Sequence, residues 1–296
     1  MNNPLLDFSD LPRFDAIRPE HVTPAVTDLL AAANEALERA VSQAVPADYD
    51  ALSAVLDVAT ERLGRAWGAV GHLNAVADSP ALRAAYNENL PRITEFYTRL
   101  GADERLYAKY KAVAASPAAQ QLRPSRRKAL SNAMRDFVLS GAELQGEAKT
   151  RFAQIQERQA ELSQKFSEHV LDATDGYAYY ANEEEMAGVP ADARQAARQA
   201  AQAEGKDGHK LTLQFPSYFP VMQYGEHRAL RERLYTAYVT RASELGDAEH
   251  DNTALMAELL ALRQEEAQLL GYRNFAEVSL VPKMAESPEQ VTEFLR

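Results

Sequence analysis

The sequence predicts a mainly α-helical protein, a lobe of many helices with one small β element near residues 177–215. Alanine, the residue with the highest helix propensity, occupies 53 of 296 positions, whereas glycine and proline together occupy 27. Apolar side chains recur at intervals of three and four residues, as they do on the buried face of a helix. After Asp175 and Gly176 the sequence becomes aromatic and β-branched between glycines and prolines, which is typical of short strands.

The predicted elements follow from these patterns and from helix-start signals. A long helix is predicted over about residues 143–174, where an apolar stripe advances in helical steps through Phe152, Ile155, Leu162, Phe166 and Val170. Thr23-Pro24, Ser79-Pro80 and Ser287-Pro288 each combine an N-cap residue with a first-turn proline. Residues 1–20 are predicted to be extended. The other predicted helices cover about residues 24–44, 48–76, 80 onward with a kink or break at Pro91, 124–141, 191–204, 226–241, 252–270 and 288 onward, and the strands cover 177–180 and 211–215.

The change in residue composition near residue 176 also predicts two regions. Residues 1–176 form an N-terminal helical region, and residues 177–296 form a mixed region of helices and short strands. No internal repeat of fixed period is visible, which argues against a helical solenoid.

Composition excludes several classes of protein and of site. Without any cysteine, the chain has no disulfide, no thiolate zinc site and no cysteine nucleophile. A net charge of −11 argues against nucleic-acid binding, and the basic cluster over residues 123–128 is read as a solvated helix start. No apolar run is long enough for a membrane span, and the first residues do not resemble a secretory signal. We therefore expect no membrane partner.

The histidines do not form a recognisable metal or catalytic motif. There is no His-Glu-x-x-His, the spacing that places two imidazoles on one helix face for zinc, and no nucleophile elbow or phosphate-binding loop. His72 is expected to be a hydrogen-bonded core residue and His169 a partly exposed helical one. His209, His227 and His250 are expected to be exposed.

Two polar features near the strands each allow a structural and a functional interpretation. The run Glu183-Glu184-Glu185 could bind a cation loosely, but a solvated helix N-terminus is the favoured reading. The nearby tyrosines can line a peptide-binding groove, although packing with a solvated hydroxyl is favoured; they are Tyr177, Tyr179, Tyr180, Tyr218 and Tyr224. We therefore predict that this sequence contains no catalytic residue and no metal ligand. Its substrate-binding residues are unknown.

Several segments, in their order and spacing, resemble one known family. They are Ser140-Gly141-Ala142-Glu143-Leu144 and residues 3–6, 18–22, 166–174, 211–222, 234–243 and 259–285. The whole chain is similar to the N-terminal part of the thimet oligopeptidase and neurolysin family of zinc metallopeptidases, and within it to the bacterial oligopeptidase A group.

The resemblance implies a fold, an activity, a cofactor and a cytoplasmic location. Members are mostly helical, with two lobes around a deep channel that admits short peptides. Zinc is held by the two histidines of His-Glu-x-x-His and a downstream glutamate, and the glutamate of the motif is the general base. These residues, and an assisting tyrosine, histidine and arginine, lie C-terminal to the region represented here, so none is assigned to this sequence.

We therefore expect a non-catalytic channel-wall region of a zinc oligopeptidase, truncated before the catalytic zinc domain. Zinc belongs to the full-length parent, and this chain alone is expected to bind none and to be inactive. Its expected partners are short peptides, the missing C-terminal lobe and, as the fragment concentration rises, a second copy of itself, with residues 287–296 frayed or held by a neighbouring copy. The alternative is a stand-alone helical interaction module that lacks the peptidase domain.

Overall fold

The computed structural model describes residues 3–296, and over them the chain is mainly α-helical with one two-stranded sheet, which confirms the predicted fold class. Three short 3₁₀ turns cover Pro4–Leu6, Pro19–His21 and Ala248–His250. The strands are β1 (Tyr179–Ala181) and β2 (His209–Leu211). The helices are α1 (Val22–Val41), α2 (Tyr49–Val76), α3 (Pro80–Gly101), α4 (Glu104–Ala115), α5 (Pro117–Gln121), α6 (Pro124–Leu139), α7 (Gly146–Asp175), α8 (Ala191–Ala203), α9 (Phe215–Tyr224), α10 (Arg228–Thr240), α11 (Thr253–Leu269), α12 (Phe275–Leu280) and α13 (Pro288–Phe294).

The chain divides into two compact units, each described by itself. The first contains the residues up to Glu161 together with Leu262–Arg296, and the second contains Leu162–Ala261. The boundaries fall inside the continuous helices α7 and α11. The division into domains 1–176 and 177–296 stays a prediction. Among residues 3–296, no helix has the length and apolar character required to cross a bilayer.

Side-chain caps fix the starts of several helices of the first unit. The carboxylate of Asp48 accepts a hydrogen bond from Ala51 N (3.0 Å), and the hydroxyl of Ser79 accepts one from Leu82 N (3.2 Å). Ser287 caps α13 in the same way by accepting from Gln290 N (3.1 Å). Each cap satisfies a backbone donor that the first turn leaves free, so the predicted starts of α2, α3 and α13 are confirmed.

The predicted cap at Thr23 is wrong. A 3₁₀ turn precedes α1, which begins at Val22 with His21 in the N-cap position. The Thr23 hydroxyl instead accepts a hydrogen bond from Asn89 Nδ2 (2.8 Å), and Asn89 is fully buried. A buried amide needs partners, so Thr23 serves the contact between α1 and α3.

Two core clusters hold the first unit together, and α1 contributes to both. Val26 and Leu29 lie in the cluster with α2, α3 and the N-terminal segment, which supplies Leu5 and Ile17. Leu37 lies in the second cluster, with side chains of α2, α4 and α6. The N-terminal residues are thus fixed by burial of their apolar side chains rather than by long regular structure.

One predicted feature of the first unit needs correction, and two of its helices were not predicted. Pro91 does not divide α3, because it is exposed while Ile93 and Phe96 bury the same helix in the core. Helices α4 and α5 were not predicted, although Asp103 caps α4 by accepting from Arg105 N and Leu106 N. The burial of Leu106, Tyr107 and Val113 then stabilises α4.

The second unit is built on the antiparallel pair β1–β2. Its register places Tyr179 opposite Leu211 and Ala181 opposite His209. Helices α8, α9 and α10 pack side chains into one cluster with this pair, around residues that include Met186, Leu211 and Leu234. The small β element is confirmed, but strand 211–215 is wrong in position, because β2 ends at Leu211 and Phe215 begins α9.

At Gly188, the turn after β1 passes very close to the backbone at the end of α9. Its φ is +79°, and a Cβ built there would lie 2.5 Å from the carbonyl oxygen of Tyr224. The neighbouring backbone is fixed by a hydrogen bond from Glu226 N to Ala187 O (2.8 Å). Only glycine fits this position without displacing the backbone.

We therefore expect Gly188→Ala to lower the free energy of unfolding by about 2–5 kcal/mol, since it adds left-handed strain and overpacking. Gly205→Ala is the matched control, because Gly205 also has a positive φ (+67°) but no atom within 4 Å of the position that a Cβ would take. It should cost about 1–2 kcal/mol from strain alone. Urea unfolding followed by circular dichroism measures both, and equal losses would contradict the assigned close contact.

Candidate functional site

Tyr179 of β1 is held at both ends of its side chain. Its hydroxyl donates to Glu185 Oε1 (2.7 Å), and the guanidinium of Arg233 lies 4.7 Å from its ring centroid. Glu185 Oε2 also accepts from Asn182 N (2.8 Å), so the carboxylate closes the turn that follows the strand. A carboxylate thus holds the hydroxyl of Tyr179, and a guanidinium lies against its ring.

The pKa of Glu185 reflects these contacts. Partial burial alone would raise it, but the hydrogen bonds from Tyr179 and from the backbone of Asn182 outweigh burial, and the pKa is lowered. The same hydrogen bond to Glu185, followed by burial, raises the pKa of Tyr179.

Tyr180 and Tyr218 are also held by their neighbours. The Tyr180 hydroxyl donates to Glu204, which also pairs with Lys210. The ring of Tyr218 stacks on Tyr238 with centroids 4.3 Å apart and planes inclined by 12°, and burial raises the pKa of Tyr218. The packing interpretation is thus confirmed for these residues, except that the strand hydroxyls bind carboxylates rather than solvent.

A second set of side chains on the same unit faces solvent. Phe215 and Phe219, one turn apart on α9, stack with ring centroids 4.7 Å apart and remain 61% and 42% exposed. Tyr235 and Val239, one turn apart on α10, are 53% and 52% exposed. We refer to these four as the exposed α9–α10 residues. Exposed aromatic groups of this kind commonly contact another molecule.

The exposed α9–α10 residues were not predicted from the sequence, for an identifiable reason. The aromatic pattern predicts a strand through Phe215 and leaves residues 216–222 without an element. The four-residue spacing of Phe215 and Phe219, together with Pro216 at the first turn, is a helix signal that the sequence contains.

His209 contradicts its predicted exposure. It is 1% exposed, and its Nε2 lies 3.4 Å from Arg198 Nη2 and 3.7 Å from Glu183 Oε2. Its Nδ1 is buried with no partner among the described residues. The position opposite Ala181 in the sheet, which the local sequence does not reveal, places this imidazole inside the unit.

The other histidines differ from prediction in smaller ways. His72 is exposed, not a core residue, and its ring lies 5.3 Å from that of Phe14. His227 is half-buried, and its Nδ1 accepts from Leu230 N (3.1 Å) as the cap of α10. His250 is also half-buried, and its Nδ1 lies 3.2 Å from Asp247 Oδ2.

The partial exposure predicted for His169 is confirmed, and its Nδ1 lies 2.9 Å from Oδ1 of the buried Asn252.

The charged runs have clear structural roles. The stretch 183–188 forms turns and not the predicted helix N-terminus, because Asn182 and Glu185 close the chain on itself. Glu183 pairs with Arg198 (2.6 Å). The basic run over 123–128 is exposed at the start of α6, as predicted.

The geometry does not assemble a metal centre from the residues that the structure describes. No group of three or more histidine, aspartate or glutamate side chains between residues 3 and 296 is arranged to hold a metal ion. The second unit also carries exposed aromatic and apolar side chains, which can contact a ligand through apolar packing.

Two family profiles match the chain. The N-terminal domain of neurolysin/thimet oligopeptidase matches residues 26–149, and peptidase family M3 matches residues 221–296. The exposed α9–α10 residues 235 and 239 thus lie within the second match, and residues 215 and 219 lie just before it.

Individual relatives align with the chain from end to end. Oligopeptidase A of Salmonella typhimurium is 45% identical over the whole chain, which covers 44% of its length. In Arabidopsis thaliana, a probable cytosolic oligopeptidase A is 40% identical and an organellar (chloroplastic/mitochondrial) oligopeptidase A is 39% identical, again over the whole chain, which covers 43% and 38% of their lengths. The chain therefore spans less than half the length of these relatives.

Substitution of Tyr179 tests the assigned role of its hydroxyl. Tyr179→Phe keeps the ring under Arg233 but removes the donor to Glu185, so the pKa of Glu185 should rise towards its ordinary value. A lowered carboxyl pKa stabilises the fold above the ordinary pKa and loses that effect as the pH falls through the lowered value. The variant should therefore lose stability near neutral pH and show a weaker loss on acidification. NMR titration of the glutamate side chains measures the shift.

Tyr180→Phe is the matched control, because its hydroxyl donates to Glu204 instead. It should shift the titration of Glu204 and leave that of Glu185 unchanged. An unchanged Glu185 titration in Tyr179→Phe would show that the assigned hydrogen bond does not control this carboxylate.

Proposed function

Because this chain belongs to peptidase family M3, we propose that it is the non-catalytic part of a longer zinc oligopeptidase that hydrolyses short peptides. The observation that carries the proposal is the alignment of all 296 residues with oligopeptidase A relatives that are more than twice as long. In this proposal, the chain confines the peptide, and the rest of the longer protein supplies the chemistry.

Zinc in such an enzyme polarises the peptide carbonyl and activates water. The residues described here do not fit that role, since no suitable cluster of ligands lies between residues 3 and 296 and the sequence contains no His-Glu-x-x-His. We therefore place the zinc ligands and the general base in the part of the longer protein that lies outside this sequence, and we derive no catalytic step from this chain.

The exposed α9–α10 residues are the proposed contacts for the peptide. Aromatic side chains bind many different peptide side chains through apolar contact, which suits an enzyme that acts on diverse short peptides. The net charge of −11 favours cationic peptides, and this preference should weaken as salt screens the charges. These residues thus serve as part of the channel wall.

Location and self-association complete the proposal. We propose a cytoplasmic location, in line with the name of the probable cytosolic relative, while the organellar relative shows that related proteins have other names and locations. We also propose that the chain self-associates at high concentration, because Phe294 and Leu295 at its last helix are 87% and 76% exposed.

The 296-residue chain alone should bind well below one equivalent of zinc after dialysis against micromolar zinc, since a catalytic site needs about three protein ligands. It should also leave a fluorogenic peptide uncleaved, because it has no means of activating water. The full-length Salmonella typhimurium oligopeptidase A is the positive control for the assay. One tightly held zinc per chain, or chelator-sensitive cleavage by a homogeneous preparation, would contradict the proposal.

A further inference from the structure

A cavity of about 500 Å³ in the first unit is lined by side chains of α2, α3, α7 and α11 and by the end of α6. Trp67, Tyr97 and Phe152 give it aromatic walls, and Gln156 and Glu266 give it polar ones. Cavities of this size, apolar with a few polar groups, are suited to small ligands.

Glu266 is a buried carboxylate that has no cationic partner among residues 3–296. It is 8% exposed, and the hydrogen bond that the structure gives it is donated by a neutral amide, from Gln159 Nε2 to Oε2 (2.7 Å). Within the described residues, no lysine or arginine forms an ion pair with it. A buried charge that lacks a counter-charge is costly, so this carboxylate is suited to receive a cation from outside the chain.

The neighbouring residue shows that an arginine was available in the same region. Glu265 is half-exposed and binds Arg151 through both oxygens, each at 2.7 Å. The arginine thus neutralises the exposed carboxylate and not the buried one. Glu265 and Glu266 therefore form a natural matched pair for experiment.

Gln156, which also lines the cavity, carries an unmet hydrogen-bond donor. Its Nε2 is buried and has no partner among residues 3–296. A buried donor of this kind is satisfied when an acceptor oxygen enters. The lining of the cavity therefore combines a carboxylate, aromatic surface and an amide whose donor is unmet.

We propose that this cavity binds the amino end of a peptide or a free amino acid, which share an ammonium group next to a carbonyl carbon. The ammonium lies against Glu266 and the aromatic rings, where a cation gains both ionic and cation–π attraction. The carbonyl oxygen accepts the hydrogen bond of Gln156. This assignment does not depend on the proposed peptide hydrolysis, because binding requires no bond to be cleaved.

Calorimetry on the 296-residue wild-type chain tests the charge requirement. L-leucinamide should bind saturably, and N-acetyl-L-leucinamide, which has the same side chain but no ammonium, should bind at least about tenfold more weakly. Tighter binding of leucylglycinamide than of leucine assigns the site to peptides, and the reverse order assigns it to amino acids. Equal binding of the acetylated probe, or no binding of leucinamide at millimolar concentration, overturns the proposal.

Variants locate the site. Glu266→Gln keeps the shape of the side chain and should weaken leucinamide binding at least about tenfold, whereas Glu265→Gln should leave it unchanged. Gln156→Leu should weaken leucinamide but not 3-methylbutylamine, which lacks the carbonyl. Circular dichroism verifies that each variant is folded. If a variant is not folded, the comparison of leucinamide with N-acetyl-L-leucinamide on the wild-type chain still tests the proposal. Equal losses in the two glutamate variants would refute the assigned position.

Discussion

The small-residue face of α1 is the constraint on which the first unit depends. Ala25, Ala33, Ala36 and Ala40 are each at most 9% exposed, and the helix that carries them contributes to both core clusters. Alanine lets neighbouring helices approach closely, and close-packed interiors do not tolerate added volume. The walls supplied by α2 and α3 to the aromatic cavity are therefore positioned by the packing of α1.

Much of the fold could be predicted from the sequence because local signals agreed with tertiary packing. The stripe of α7 and the caps at Asp48, Ser79 and Ser287 describe interactions within a few residues of one another. α9 was missed because its prolines and aromatics favour other structures, and burial of Val221 in the core of the second unit outweighs that preference. Thr23 was misassigned because its partner, Asn89, lies 66 residues away.

The polar sites were less predictable, because they depend on contacts across long stretches of sequence. His209 lies in a polar segment and is buried only by its position opposite Ala181. Glu265 and Glu266 are adjacent and chemically identical. They differ because adjacent positions of α11 face different directions, so that Glu265 meets Arg151 and Glu266 lines the cavity. Tyr179, Tyr180 and Tyr218 were correctly predicted to be packed, whereas Tyr224 is 52% exposed. The carboxylate partner of Tyr180 is 24 residues distant in the sequence.

The proposed function requires that this chain contacts peptides that another part of a longer enzyme cleaves. Photo-crosslinking of the chain with short peptides that carry a benzophenone side chain tests it most directly, with the attachment sites located by mass spectrometry. The account predicts attachment at the exposed α9–α10 residues, competed by unlabelled peptide and strongest for cationic sequences at low salt. Attachment spread evenly over the surface, or not competed by unlabelled peptide, would contradict it.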